Sequence, residues 1–109
     1  MNASPARPDR LAELVAALRR GVLDSEAATD RTTRAEAASG SATDPRLADY
    51  VRKVHEASYK LTDADIAALR EQGFDEEEIF EVTIAAAVGA ATRRLDAGLR
   101  AVRGGGVEA

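Results

Sequence analysis

The residue types that could carry acid–base chemistry lie together in the middle of the chain. His55 is the only histidine, Glu56 is its neighbour, and Tyr59 follows four residues later on the same face of a predicted helix. Imidazole is the side chain best suited to proton transfer near neutral pH. With Asp65 as a base and Tyr59 as a donor, these residues could form a polar proton-transfer site. The catalytic candidates are therefore His55, Tyr59 and Asp65.

A purely structural role explains the same residues without any reaction. Thr62, followed three residues later by Asp65, fits a shortened capping box, in which both side chains satisfy N–H groups at the start of a helix. Tyr59 would then fill space with its ring, and His55, with no orienting partner in the sequence, would be a partly exposed helix residue. The sequence leaves the catalytic and the structural interpretations open.

A second polar cluster lies near the end of the chain and consists of Arg93, Arg94, Asp96 and Arg100. Helical spacing allows Asp96 to pair with Arg93 at i,i+3 and with Arg100 at i,i+4. Such pairs are typical of a solvated or intersubunit salt-bridge face. The alternative is an anion site built from two or three arginines.

Composition excludes several classes of function. The chain of 109 residues has no cysteine, which removes disulfides, thiol redox chemistry and cysteine-bound metal, and a single histidine argues against a zinc site. We therefore predict no metal and no cofactor. A net charge of −4 argues against nucleic acid as a partner. No apolar run has the length of a membrane span and no signal-peptide core is present, so we expect a soluble, cytoplasmic protein.

One long helix over residues 74–103 is predicted to organise the fold. Asp75 is a good N-cap, Glu78 completes a capping box, and Phe74 with Ile79 can form a hydrophobic staple across the first turn. Residues 82–91 are apolar or small on every side, which indicates a buried central helix. No alternation typical of strands occurs, so the predicted class is all-α.

Length and alanine content together predict self-association. About 29 helical residues span about 44 Å, more than a chain of this size needs for its own core. The chain is 45% hydrophobic, but about half of those residues are alanine, which contributes little burial energy. We therefore expect a partner subunit to cover part of the long helix in a homo-oligomer.

The N-terminal part is predicted to contain a mobile arm over residues 1–8 and, over residues 9–43, a helix with a covering linker. Asp9 would cap an amphipathic packing helix over residues 10–22. Residues 23–43 would form the linker, in which a short helix near residues 31–38 would contribute little to a core. The apolar stripe of the first helix comprises Leu11, Leu14, Val15, Leu18 and Val22.

Residues 44–103 form the predicted helical core. Asp44 and Pro45 supply an N-cap and a first-turn proline for a helix that reaches about residue 59. Thr62 caps a short helix that ends at Gly73, and the long helix follows. Three glycines at 104–106 would end it, leaving a flexible tail over residues 104–109.

The segment REQGFDEEEIFEVTIAAAVGAATRRLDAGLRAV, residues 70–102, resembles the AhpD-like, or carboxymuconolactone decarboxylase-like, superfamily. The resemblance extends back through YVRKVHEASYKLTDADIAAL, residues 50–69, and its most specific part is GFDEEEIFEVTIAAAVGA. It implies an AhpD-like helical domain with a long alanine-rich central helix. It also implies assembly into trimers or hexamers.

The peroxidase motif of that superfamily does not occur in this chain. The redox branch has an upstream Glu, a Cys-x-x-Cys pair and a later His; the corresponding residues here are Arg46, Ser58, Leu61 and Asp65. The resemblance thus implies a non-redox scaffold that acts as a binding or assembly protein, for a small-molecule or protein ligand that the sequence does not identify. Thiol chemistry supplied by a separate cysteine-containing protein is a further possibility.

The alternative function is a cofactor-independent lyase or isomerase of the carboxymuconolactone decarboxylase type. In this interpretation His55 performs acid–base chemistry with Tyr59, Glu56 or Asp65. The site would be a pocket between the helix of residues 45–59 and the long helix. A pocket that holds His55 and a carboxylate within hydrogen-bond reach would favour it.

Overall fold

A computed structural model describes residues 7–105, and every regular element in this range is helical. There are five α-helices: α1 (Arg7–Leu23), α2 (Arg31–Ser39), α3 (Pro45–Ala57), α4 (Asp63–Glu71) and α5 (Glu76–Arg100). A 3₁₀ turn, Ser58–Lys60, joins α3 to α4, and a π turn, Ala101–Gly105, follows α5. The predicted all-α class is confirmed. None of these helices is long and apolar enough to cross a membrane.

The first helix begins earlier than predicted. It starts at Arg7 rather than after Asp9, so Pro8 lies in its first turn. A proline is tolerated there because its missing N–H would have no intrahelical acceptor. The rest of the predicted arm, residues 1–6, and residues 106–109 of the predicted tail lie outside the described residues.

The long helix α5 begins as the sequence predicts. Asp75 accepts a hydrogen bond from the Glu78 N–H at 2.8 Å, and Glu78 accepts one from the Asp75 N–H at 3.0 Å. Burial, however, is one-sided rather than complete, because Ala87 and Ala91 remain exposed. The buried residues are Ile79, Val82, Ala85, Ala86, Gly89 and Ala90.

Helix α2 contributes far more to the core than the sequence suggested. It forms the most extensive helix–helix interface with α5, and Ala37 and Ala38 are both buried. A Cβ at Gly89 would overlap the Ala38 carbonyl group and lie 2.6 Å from its Cα, closer than the 3.0 Å that real Cβ contacts essentially always keep. The prediction was wrong because small residues contribute here through close backbone approach rather than through apolar area.

The connection between α1 and α2 is held from both sides. Arg34, only 2% exposed, donates to the Val22 carbonyl at 2.8 Å and to the Ser25 carbonyl. From the other side, Glu81 of α5 accepts from the N–H and the hydroxyl of Thr29, both at 2.7 Å. The part of the predicted linker that precedes α2 is therefore held by two charged side chains, Arg34 and Glu81.

Only part of the predicted apolar stripe of α1 packs within the chain. Val15 and Val22 are half-buried, whereas Leu14 is 59% exposed and Leu18 is 55% exposed. The side chain of Leu11 lies outside the described residues. Helix α1 therefore leaves two large apolar side chains uncovered.

Substituting Gly89 tests the close contact between α2 and α5. Gly89→Ala is expected to lower the free energy of unfolding by roughly 2–3 kcal/mol, because the backbone of α2 must move. The matched control is Gly98→Ala in the same helix, where an added Cβ meets nothing within 4 Å. That change is expected to stabilise the chain by about 0.5–1 kcal/mol. Equal effects of the two variants in chemical denaturation would contradict the packing described.

The Glu81 interaction predicts a specific pH dependence. Burial alone would raise the pKa of Glu81, but the hydrogen bonds from Thr29 and Ala28 outweigh it and hold the pKa below its ordinary value of 4.5. The contribution of Glu81 to the free energy of unfolding is therefore present above that value and is lost as the pH falls through the lower folded-state pKa.

The variant Glu81→Gln measures this contribution. Its free energy of unfolding is expected to be about 1–2 kcal/mol below that of the wild type at neutral pH, and the difference should shrink as the solution is acidified below the ordinary pKa. The exposed residue Glu71 supplies the control substitution Glu71→Gln. If the difference in free energy of unfolding between the wild type and Glu81→Gln stayed constant down to strongly acidic pH, the charge of the Glu81 carboxylate would not be the source of the stabilisation.

Candidate functional site

His55 lies at a buried junction of α2, α3 and α5 and is only 4% exposed. Its Nε2 lies 2.8 Å from the Ala37 carbonyl oxygen, and its Nδ1 lies 2.6 Å from Nη2 of Arg93. A carbonyl can only accept and a guanidinium can only donate, so these partners assign the proton to Nε2 and leave the ring neutral. Both ring nitrogens are therefore occupied by structural hydrogen bonds.

The surroundings of His55 explain why it sits there. Arg94 donates from Nη2 to the main-chain carbonyl of His55 at 2.7 Å, so two successive arginines of α5 hold one residue of α3. Gly40, which ends α2 with φ 83°, lies against the ring, and a Cβ there would meet it at 3.4 Å. The prediction of a partly exposed histidine is wrong, because the imidazole connects three helices.

The other two catalytic candidates lie in different surroundings. Tyr59 is 83% exposed on the 3₁₀ turn, so it does not fill space in the core as the structural interpretation expected. Asp65 accepts from Lys53 Nζ at 3.0 Å and from the Thr62 N–H at 2.8 Å. The hydrogen bond from Lys53, followed by that from Thr62, lowers the pKa of Asp65, which makes it a poor proton acceptor.

The structure does not assemble His55, Tyr59 and Asp65 into one constellation. Asp65 performs the capping role that the sequence offered as its structural explanation. No hydrogen bond between described residues joins His55 to Tyr59 or to a carboxylate. The lyase interpretation therefore lacks a donor–acceptor pair centred on His55.

A polar cleft of about 450 Å³ lies between α3 and α4, rather than between α3 and α5 where the lyase interpretation placed it. His55 does not line it. Its charged residues are Arg46, Asp49, Arg52, Lys53, Glu56 and Asp65. Most of these are already neutralised by near neighbours, in the ion pairs Lys53–Asp65 at 3.0 Å, Arg52–Asp49 at 2.6 Å and Arg46–Asp44 at 2.7 Å.

The arginines of α5 do not form the ion pairs that their spacing predicted. Within residues 7–105, Asp96 pairs with neither Arg93 nor Arg100. Arg93 and Arg94 instead reach across to α3 and bind His55. His55 Nδ1 and the His55 carbonyl hold these arginines in preference to Asp96, because an exposed i,i+3 ion pair contributes only a few tenths of a kcal/mol.

A continuous apolar surface runs along α1 and α5. Helix α1 lies antiparallel to α5, because Gly21 and Phe80 line one cleft between the two helices whereas Ala12 and Leu99 line another. Phe80 is 60% exposed, comparable to Leu14 and Leu18 on α1. Between the helices runs a groove of about 250 Å³. We call this surface the α1/α5 face; it comprises Leu14, Leu18, Phe80, Ile84, Ala87, Val88, Ala91 and Leu95.

Sequence reasoning missed three residues that hold the buried parts of the fold together. Gly40 directly follows α2 and could have been recognised as its C-cap from residue type alone. Arg34 is a buried cation with carbonyl acceptors, and the Ala37 carbonyl holds His55. Neither role leaves a signal in the sequence, since main-chain acceptors are the same at every residue.

The described part of the chain contains no group of three histidine or carboxylate side chains that could hold a metal ion. Comparisons with protein-family models, with curated proteins and with solved structures find no match to this chain.

The role of His55 can be separated from that of Tyr59 by substitution. His55→Ala is expected to lower the free energy of unfolding by about 2–4 kcal/mol, because it opens a cavity and removes the acceptor of Arg93. Tyr59→Phe, at an exposed position on the turn, should change it by less than about 0.5 kcal/mol. Nitrogen chemical shifts of the ring, measured by NMR, should show the proton on Nε2. A destabilised Tyr59→Phe, or a proton on Nδ1, would contradict the assignment.

Proposed function

We propose that this protein is a non-catalytic member of the AhpD-like superfamily that acts as a self-assembling binding scaffold. The supporting sequence features are the segment over residues 50–102 and the loss of every residue of the peroxidase motif. The supporting structural features are the long central helix and the buried hydrogen bonds through which His55 connects α2, α3 and α5. In this proposal the chain works as a trimer or hexamer.

The observation that carries the proposal is the uncovered α1/α5 face. Leu14, Leu18 and Phe80 are each more than half exposed, and Leu18 lines the same groove as the exposed Ala87 and Ala91. Contiguous exposed apolar surface on a small protein is typical of an interaction site. The proposed occupant is a second copy of the chain, because alanines on the α5 stripe allow two long helices to approach closely.

The expected free energy of association is sufficient for a stable oligomer only if the whole α1/α5 face is buried between copies. Covering the exposed halves of Leu14, Leu18 and Phe80 in two copies would contribute roughly 5–9 kcal/mol. Association costs about 4–15 kcal/mol in lost freedom, so these three side chains alone would give weak binding. The half-buried Ile84, Val88 and Leu95 must supply the rest, which favours an extended helix-to-helix contact along α5.

Light scattering coupled to size-exclusion chromatography tests the proposal. The wild type is expected to elute with the mass of three or six chains at micromolar concentration. Leu18→Glu should give the mass of a single chain, because it places a charge in the apolar face. Since Leu18 is already 55% exposed, the variant should retain its helical circular dichroism.

The matched control is Tyr59→Glu, which adds the same charge at an exposed aromatic residue far from the α1/α5 face in sequence. It should leave the assembly unchanged. A wild type that is monomeric at about 100 µM, or an oligomer that Leu18→Glu leaves intact, would refute assembly through this face.

A further inference from the structure

A second cleft, of about 530 Å³, lies between α1, α2 and α5. Its walls are mostly apolar and include Val15, Ala16, Leu95 and Leu99. Its volume falls within the range of about 300–1,000 Å³ that is typical of small-molecule sites. It differs from the groove of the α1/α5 face because α2 forms one of its sides.

Two arginines line this cleft. Arg19 comes from α1 and Arg93 from α5. Within residues 7–105 neither forms an ion pair. Arg93 donates from Nη2 to His55 Nδ1 at 2.6 Å, which fixes its side chain, and because a guanidinium has five N–H donors, further donors remain for a ligand. A cation fixed in position before binding loses less entropy when it binds an anion.

One carboxylate, Asp96, lines the same cleft. Two arginines opposed by one carboxylate leave a single excess positive charge. That balance favours a ligand with one negative charge over a multiply charged phosphate ester. The mostly apolar walls favour a ligand whose remaining part is apolar, as an aliphatic chain is.

We propose that the cleft between α1, α2 and α5 binds a single-chain aliphatic carboxylate, with Arg19 and Arg93 holding the head group and Val15, Leu95 and Leu99 contacting the tail. The cleft shares Leu95 with the α1/α5 face, but Arg19, Arg93 and α2 lie outside that face, so the proposal does not depend on assembly. The protein binds this ligand without changing it chemically.

The test is a calorimetric titration of the full chain with sodium decanoate below its micellar concentration. Decyltrimethylammonium supplies the same tail with the opposite charge, and acetate supplies the head group alone. Saturable binding of one decanoate per chain is expected, at least about tenfold tighter than either control, because both halves of the ligand contribute. Absence of saturation, or equal affinity for decyltrimethylammonium, would overturn the proposal.

Arg19→Gln and Arg20→Gln form a matched pair of variants. Arg19 lines the cleft, whereas its neighbour Arg20 is exposed and does not. Arg19→Gln should weaken decanoate binding about tenfold or more, since it removes a hydrogen bond to a charged group, and Arg20→Gln should change it by less than about twofold. A third variant, Leu99→Ser, should also weaken decanoate binding, because it removes an apolar contact with the tail. Equal affinities of the Arg19→Gln and Arg20→Gln variants would show that the cleft does not recognise the anion.

Discussion

The backbone contact between Ala38 of α2 and Gly89 of α5 determines how the other helices are placed. With no Cβ between them, α2 lies directly on α5, and the Ala37 carbonyl comes within 2.8 Å of His55. His55 in turn fixes Arg93, so that α3 is tied to both helices. A core with few large side chains achieves close packing in this way, through small residues and a satisfied polar junction.

This arrangement also explains why one side of α5 remains uncovered. The buried residues of α5, such as Val82 and Ala86, lie on the side that contacts α2 and α3. At about 100° per residue, Phe80, Ala87 and Ala91 fall on the opposite side. His55, the histidine that could have supported catalysis, instead helps to hold the covered side together. The uncovered side is therefore the surface available for interaction with another molecule.

Local signals in the sequence predicted most of the helices. Asp44 caps α3, accepting from the Arg46 N–H at 2.9 Å, and Asp75 begins α5, because a cap depends only on residues within one turn. The burial of His55 could not be predicted, since its partners Ala37 and Arg93 are distant in sequence and one of them is a main-chain carbonyl. Amphipathic spacing showed that Leu18 needs an apolar contact, but it cannot distinguish a contact within the chain from one with another copy.

Intermolecular contacts measured by isotope-filtered NMR test the central claim most directly. In a mixture of ¹³C-methyl-labelled and unlabelled chains, we expect contacts between copies at Leu14, Leu18, Ala87 and Ala91, and none at Ala37 or Ala38. Contacts between copies through Ala37 and Ala38 would show that α2 does not cover α5 within one chain. The absence of any contact between copies would show that the α1/α5 face is not an assembly surface.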